Sequence, residues 1–192
     1  MDDIKLELVR VEDAPSIVAI YAHYVEKTIW SFELCPPTAE GAARRIAVIS
    51  QRYPYIVAKR KEEIIAYCYA AWQCGHNALE YNAELAIYIK PEYIGQGIGK
   101  RLYRAEIEIL KLQNIKTVYG LVSVPNERSV ALHESMGFEQ TSYVSNMGFK
   151  LGRWYDVARY KKQIGAYDET PGPVRNIIDV DPYMIEKILI SR

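Results

Sequence analysis

Residues Ala86-Ile87-Tyr88-Ile89-Lys90-Pro91-Glu92-Tyr93-Ile94-Gly95-Gln96-Gly97-Ile98-Gly99-Lys100 constrain this chain more than any other stretch. An apolar strand stops at a proline, and a turn with three glycines then feeds an amphipathic helix. Glycines let a backbone turn without Cβ clashes and approach a ligand closely. The start of the helix offers unpaired N–H groups and the positive end of its dipole, which suit a pyrophosphate. Each such charge–dipole contact contributes roughly 0.3–1 kcal/mol when exposed, and up to about 2 kcal/mol when partly buried. Lys100, Arg101 and Arg104 add positive charge in the first turns. A Walker A loop requires Gly-x-x-x-x-Gly-Lys-Ser/Thr, but Ile94 stands where its first glycine belongs and Arg101 where its hydroxyl belongs. The dinucleotide fingerprint Gly-x-Gly-x-x-Gly fails at Lys100, and the loop lies mid-chain. Two readings stay open for the loop alone: a cradle for another phosphate ligand, or a plain strand-to-helix turn.

Around this loop the periodicity alternates between strand and helix. Ile4 to Val11 reads as a strand with Ile4, Leu6 and Leu8 on one side, and Pro15 sits in the first turn of a helix with the stripe Ile17, Ile20, Tyr21, Tyr24 and Val25. Cys35-Pro36-Pro37 breaks the chain, and Thr38 is placed to cap a helix running to Arg52. Tyr55 to Lys59, Glu63 to Trp72 and Ala83 to Ile89 read as strands, and Gly97 to Gln113 as a helix. Then follow a strand at Val118 to Val122, a helix at Asn126 to Met136, and strands at Glu139 to Ser145 and Trp154 to Lys161. That order predicts a mixed α/β (α+β) sheet with an antiparallel first half and a crossover connection. From Gly165, prolines 171, 173 and 182 interrupt the pattern, and Tyr183 to Ile190 reads as a short helix. We therefore expect one domain over 1–163 and an extension over 164–192 that packs on the domain or on a partner subunit.

The bulk numbers narrow the function classes. At 192 residues with 49% hydrophobic and 25% charged side chains, the chain can bury one sizeable core. Basic and acidic residues balance at 24 each, which leaves no global field to recruit nucleic acid. The acidic N-terminus does not resemble a signal peptide, and no apolar run is long enough to suggest a membrane span. The three cysteines (Cys35, Cys68 and Cys74) form no Cys-x-x-Cys pair, so neither a disulfide framework nor a metal site is expected. These features imply a cytoplasmic protein that binds neither nucleic acid nor membrane.

A second segment, Pro125-Asn126-Glu127-Arg128-Ser129-Val130-Ala131-Leu132-His133-Glu134-Ser135-Met136-Gly137-Phe138, can be read simply as a well-capped helix, with Asn126 at its start and Gly137 past its end. It also resembles the GNAT signature Asn-x-x-Ser/Ala-x-x-Leu-Tyr/His-x-x-x-Gly-Phe. The earlier loop is similar to that superfamily's acetyl-CoA loop, Arg/Gln-x-x-Gly-x-Gly/Ala, with Gly97 and Gly99 matching and Ile94 departing at the first position. The resemblance covers about residues 4 to 163. Ile29-Trp30, Ala83 to Ile89 and Gly148 to Asp156 are similar to the phosphinothricin and amino-acid acetyltransferase branch. It implies a GNAT-like, mostly antiparallel sheet flanked by helices with splayed central strands, and a homodimer. It also implies an enzyme that moves an acetyl group from acetyl-CoA to the primary amine of a small molecule, an amino acid or analogue.

The resemblance places acetyl-CoA against Ile87, Tyr88, Ile89, Gly95, Gln96, Gly97, Ile98, Gly99, Lys100, Asn126 and Ser129, with a strand N–H polarising the thioester carbonyl. Glu84 sits inside the apolar run Asn82 to Ile89, where a carboxylate is costly to bury without a partner or a task. Desolvation would raise its pKa and suit it to act as general base, a role the resemblance also gives it; the competing reading is a structural ion pair. His133 stands where many relatives carry a proton-donating tyrosine. It reads either as that acid or as a helix histidine packed beside the cofactor. Trp30, Phe32, Trp72, Glu80 and Leu85 are candidates for the acceptor site. Where amino-acid acetyltransferases carry carboxylate-binding arginines, Cys74 and Glu80 stand here, which should weaken selection for a free carboxylate and let Glu80 favour a second positive charge. The alternatives are acetylation of a peptide or protein amine, and a non-catalytic acyl-CoA-binding protein.

Overall fold

The computed structural model describes residues 3–71 and 76–191. Its elements in chain order are β1 (Ile4–Leu8), α1 (Ala14–Lys27), α2 (Ala39–Arg52), β2 (Tyr55–Arg60), β3 (Glu63–Ala71), β4 (Asn82–Ile89), α3 (Ile98–Leu112), β5 (Thr117–Val124), α4 (Glu127–Ser135), β6 (Glu139–Lys150), β7 (Arg153–Gln163) and α5 (Pro182–Ile190). The seven strands form one sheet in the order β1-β2-β3-β4-β5-β7-β6. Every neighbouring pair is antiparallel except β4 and β5, which run parallel because α3 carries the chain across between them. The sequence pattern gives this mixed, mostly antiparallel architecture. Among the described residues, no helix is long and apolar enough to cross a membrane.

Local chemistry explains the helix starts. The Thr38 hydroxyl accepts the Gly41 N–H at 3.0 Å, and the Asn126 side-chain oxygen accepts the Ser129 N–H at 3.2 Å, each satisfying a first-turn donor. Helix α3 buries Ile98, Leu102 and Ile109 in one cluster with Ile4, Leu6 and Ile56 of the sheet. Helices α1 and α2 cover the opposite face, where Ile17, Ile20 and Ile46 meet Tyr55, Val57 and Tyr67. Cys68 is buried and Cys35 exposed, both as free thiols.

Two strand expectations need correction. The β1 alternation stops early: Leu8 is exposed, whereas Val9 is buried and donates its N–H to Tyr55 O at 2.8 Å. The chain is already leaving the sheet edge for α1 there. Strand β6 runs well past Ser145 to Lys150, because it forms a long hairpin with β7 through Leu151 and Gly152, both with positive φ. Most of β6 is exposed, so burial imposes no alternation that a sequence reading could detect.

The tail does not hang free. Ile177, Val180, Ile185 and Leu189 join the cluster that includes Leu102 of α3 and Leu6 of β1. Asp181 caps α5 by accepting the Tyr183 N–H at 2.9 Å, with Pro182 in the first turn.

Candidate active site

The site begins with a failure of pairing. β4 and β5 are matched over only Asn82↔Thr117, Ala83↔Val118 and Glu84↔Tyr119, yet β4 continues to Ile89 and β5 to Val124. Beyond Glu84 the two strands splay. Thr117 N–H reaches Tyr81 O, and Lys90 N–H reaches Ile65 O of β3. By the alternation of backbone groups along a strand, the amides of Leu85, Ile87 and Ile89 therefore face β5, and those of Ile87 and Ile89 lie past the end of the ladder. Tyr24 of α1 occupies the last position: its hydroxyl donates to Ile89 O and accepts Ile89 N–H at 3.3 Å. Ile87 N–H is left facing the gap.

A cavity of about 1280 Å³ fills this splay. One wall is β4 from Glu84 to Ile89, and the facing wall is Leu121, Val122 and Ser123 of β5. One end is closed by Gly95, Gly97, Gly99 and Lys100, with Asn126, Ser129 and Leu132 of α4 alongside. Gly97 is the N-cap of α3 with φ +78°, a left-handed conformation that strains any residue bearing a Cβ. The first hydrogen bond of α3 runs from Arg101 N–H to Gly97 O at 3.2 Å, so the preceding amides of the turn have no intrahelical acceptor. Unpaired amides, a helix dipole and the Lys100 side chain at one end, with a strand amide at Ile87 deeper in, fit a pyrophosphate-bearing thioester such as acetyl-CoA.

Glu84 is half-buried on the cavity wall, at the point where the ladder ends. Its neighbours Ala83 and Leu85 turn to the α3 side, where they join the core with Tyr103 and Ile107. The strand period therefore sends Glu84, Ala86 and Tyr88 to the face covered by α1. There the rings of Tyr21 and Tyr24 stand edge-on to Tyr88 at 4.8 and 5.1 Å. Trp30 and Phe32 complete this side of the cavity. The Trp30 indole N–H donates to Pro125 O at 3.3 Å, and the Lys150 amine donates to Ser31 O at 2.5 Å, fixing the loop between β5 and the β6–β7 hairpin.

His133 also borders the cavity but is only 2% exposed. Its Nδ1–H donates to Ser129 O at 2.8 Å, which leaves Nε2 as an acceptor for the Tyr103 hydroxyl at 3.4 Å. Burial pushes its pKa down, opposed by the Ser129 carbonyl. A neutral imidazole with its one proton already held by a carbonyl is poorly placed to donate that proton. The geometry favours a packed histidine that orients Tyr103, whose side chain lines the cavity.

Several residues predicted for the site lie elsewhere. Glu80 does not line the cavity; its carboxylate is 3.8 Å from Arg52, in the turn before β4. The expectation that it selects a cationic acceptor loses its support. Ile98 is buried in the α3 core, because its helical phase points to the sheet. Gln96 turns outward and donates its side-chain amide to Glu92 O at 3.0 Å. Trp72 and Cys74 lie outside the described residues. Sequence reasoning missed Tyr24 and Tyr103 as site residues. Tyr24 reads as an ordinary member of the α1 stripe and Tyr103 as one more residue of α3, and only the packing of Tyr24 on β4 and of Tyr103 on His133 of α4 reveals their hydroxyls.

Comparisons agree with this geometry. The acetyltransferase (GNAT) domain family matches residues 6–158. A phosphinothricin N-acetyltransferase of Alcaligenes faecalis is 35% identical over 167 residues, covering 86% of this chain and 85% of that protein. An L-methionine sulfoximine/L-methionine sulfone acetyltransferase of Pseudomonas paraeruginosa is 31% identical over 151 residues, covering 77% and 87%. Among solved structures, a GNAT superfamily phosphinothricin acetyltransferase from Sinorhizobium meliloti in complex with AcCoA superposes with a TM-score of 0.84 at 30% identity, covering 94% of this chain and 96% of that one.

Proposed function

The chain belongs to the GNAT acetyltransferase family and is an acetyl-CoA-dependent N-acetyltransferase, and from that premise we propose that its acceptor is the primary amine of a small amino acid or analogue, acetylated by direct transfer with Glu84 as general base. The observation that carries this reading is the position of Glu84, at the last β4–β5 pair and on the wall of the splay cavity. The acceptor class is supported by relatives named for phosphinothricin and methionine sulfone, and by the aromatic side of the cavity formed by Tyr21, Tyr24, Trp30 and Phe32.

Acetyl-CoA supplies the acetyl group as an activated thioester. The loop from Gly95 to Lys100 holds the diphosphate end with backbone amides and one ammonium. Ile87 N–H, facing the gap, is the donor available to polarise a carbonyl. Glu84 takes a proton from the acceptor ammonium, directly or through water, so that the amine attacks uncharged. Tyr103 borders the cavity with its hydroxyl proton held on His133 Nε2, and the departing thiolate takes up the second proton that the acylated nitrogen loses.

The test is thiol release from acetyl-CoA by the purified protein with a panel of amino acids, methionine sulfone, phosphinothricin and simple amines. Turnover with amino-acid-type amines is the expected outcome. Turnover confined to peptide amines would move the acceptor to a macromolecule.

Homodimerisation belongs to the same reading. Met147, Phe149, Leu151 and Trp154 are each more than half exposed along the β6–β7 hairpin, beside the cavity mouth formed by Met147 and Phe149. An apolar patch of this kind beside a binding site marks a surface for association. Light scattering should give the mass of two chains; a monomeric mass would remove this part of the reading.

A further inference from the structure

A second cavity, of about 940 Å³, lies between β1, the end of α2 and the tail. It shares no lining residue with the first: Lys100 borders the splay cavity, and its neighbour Arg101 borders this one. Its volume falls in the range of small-molecule sites, roughly 300–1000 Å³. The walls are apolar, with Leu6 and Val9 from the sheet side and Val180, Ile185 and Leu189 from the tail.

Three polar groups in these walls are buried and lack a hydrogen-bond partner among the described residues: Arg101 Nε, Ser50 Oγ and Tyr53 Oη. Arg101 donates one N–H to Ile4 O at 2.7 Å, and no carboxylate pairs with it among the described residues. Of the two acidic residues in the lining, Glu7 is already paired with Lys59 at 2.8 Å and Glu186 is exposed on α5. Lys5 and Arg10 also border the cavity but are exposed, so the buried charge left to be answered is the Arg101 guanidinium, with the Ser50 and Tyr53 hydroxyls in the same lining. Guanidinium groups bind carboxylates with paired, directional hydrogen bonds.

We propose that this cavity is a binding site for a small amphipathic carboxylate, its head on Arg101 and Ser50 and its hydrocarbon part against Leu6, Ile185 and Leu189. A cation of the same shape would meet an uncompensated positive charge, and an uncharged molecule would leave the guanidinium unanswered. The site is separate from acetyl transfer and does not depend on the acceptor assignment.

Octanoate and octylamine, matched in chain length and opposite in charge, are the probes. Each is titrated calorimetrically into the full chain saturated with CoA, so that the splay cavity is blocked. Octanoate should bind at one site, at least tenfold more tightly than octylamine. Arg101→Met should weaken octanoate at least tenfold, and Arg101→Lys by less. Because Arg101→Met also removes the bond to Ile4 O and could unsettle the fold, methyl NMR of the unaltered protein provides the second readout. Octanoate should shift Leu6, Ile185 and Leu189 and leave Leu132 and Ile87 in place. Equal affinity for the two probes, no loss in Arg101→Met, shifts at Leu132 instead of the tail, or no binding at millimolar octanoate would each overturn the proposal.

Discussion

Two glutamates approach the central strands, and their surroundings give them opposite chemistry. Glu84 is half-buried at the edge of a cavity and can exchange protons with what enters it. Substitution Glu84→Gln keeps the shape and removes the base, so kcat should fall by about 10²–10⁴-fold. Acetyl-CoA affinity, measured by calorimetry, should stay unchanged; an unaltered kcat would remove Glu84 from the chemistry. Glu106 of α3 is fully buried. Its Oε2 accepts the Cys68 thiol at 3.2 Å, while Oε1 has no partner among the described residues. Burial pushes its pKa well above the ordinary 4.5, outweighing the Cys68 and Ala70 donors. The folded chain therefore keeps a proton that the unfolded chain gives up, and this group's contribution to stability is fully present below pH 4.5. It declines as pH rises from there toward the folded value, at up to roughly 1.4 kcal/mol per pH unit. Glu106→Gln, which cannot ionise, should gain stability relative to the unaltered protein between pH 5 and pH 8 in urea melts. A difference between the two proteins that does not change with pH would show that Glu106 ionises normally.

At the scale of elements, the active site depends on how closely α4 can approach β5. A Cβ on Gly120 would stand 2.1 Å from His133 Nε2, and the ring has no space to retreat into, with Phe138, Tyr160 and Tyr103 centred 5.0, 5.3 and 5.5 Å away. Gly120→Ala should therefore cost about 1–3 kcal/mol by overpacking, and loosen the hydrogen bond from Tyr103. For a chain of this size that is a fall in Tm of about 2–4 °C per kcal/mol. An unshifted melting curve would mean that the histidine ring is not confined by its aromatic neighbours. Neither this contact nor the Tyr24–Ile89 pair was legible in the sequence, because each joins elements far apart in the chain. What was legible obeys local rules: the caps at Thr38 and Asn126, the α3 stripe, and the strand–glycine turn–helix unit. Ile98 shows the limit of motif reading. It lies inside the loop motif, yet one helical phase away from the cavity its neighbours Gly97 and Gly99 line. Strand β6 shows the limit of periodicity, since a mostly exposed strand leaves no alternating pattern.

At the scale of the whole molecule, the prolines after Gly165 predicted an extension packed on the domain or on a partner subunit, and its side chains lie in one cluster with β1 and α3. Four tail side chains, Ile177, Val180, Ile185 and Leu189, are buried at 4–7% exposure. The path to them is pinned to the end of α3. Gln113 donates from Nε2 to both Arg52 O and Arg175 O, at 2.6 and 2.8 Å, and accepts Arg175 N–H on its own carbonyl at 3.0 Å. Asn114 donates to Gly172 O at 2.6 Å. Gln113 is itself fully buried, so removing the tail would leave its side chain short of one acceptor and its carbonyl of a donor in an apolar setting. Burying four such side chains contributes on the order of 6–12 kcal/mol as an upper estimate. That is comparable with the whole net stability of a typical domain, about 5–15 kcal/mol. A chain ended after Gln163 should accordingly fail to give a cooperative thermal transition by circular dichroism, while Leu189→Ala, which removes one of the four, should still fold with a loss of about 2–5 kcal/mol. If the shortened chain melted within a few degrees of the full one, the tail would be an accessory after all, and the cluster that joins α3, β1 and α5 would have to stand without its third side.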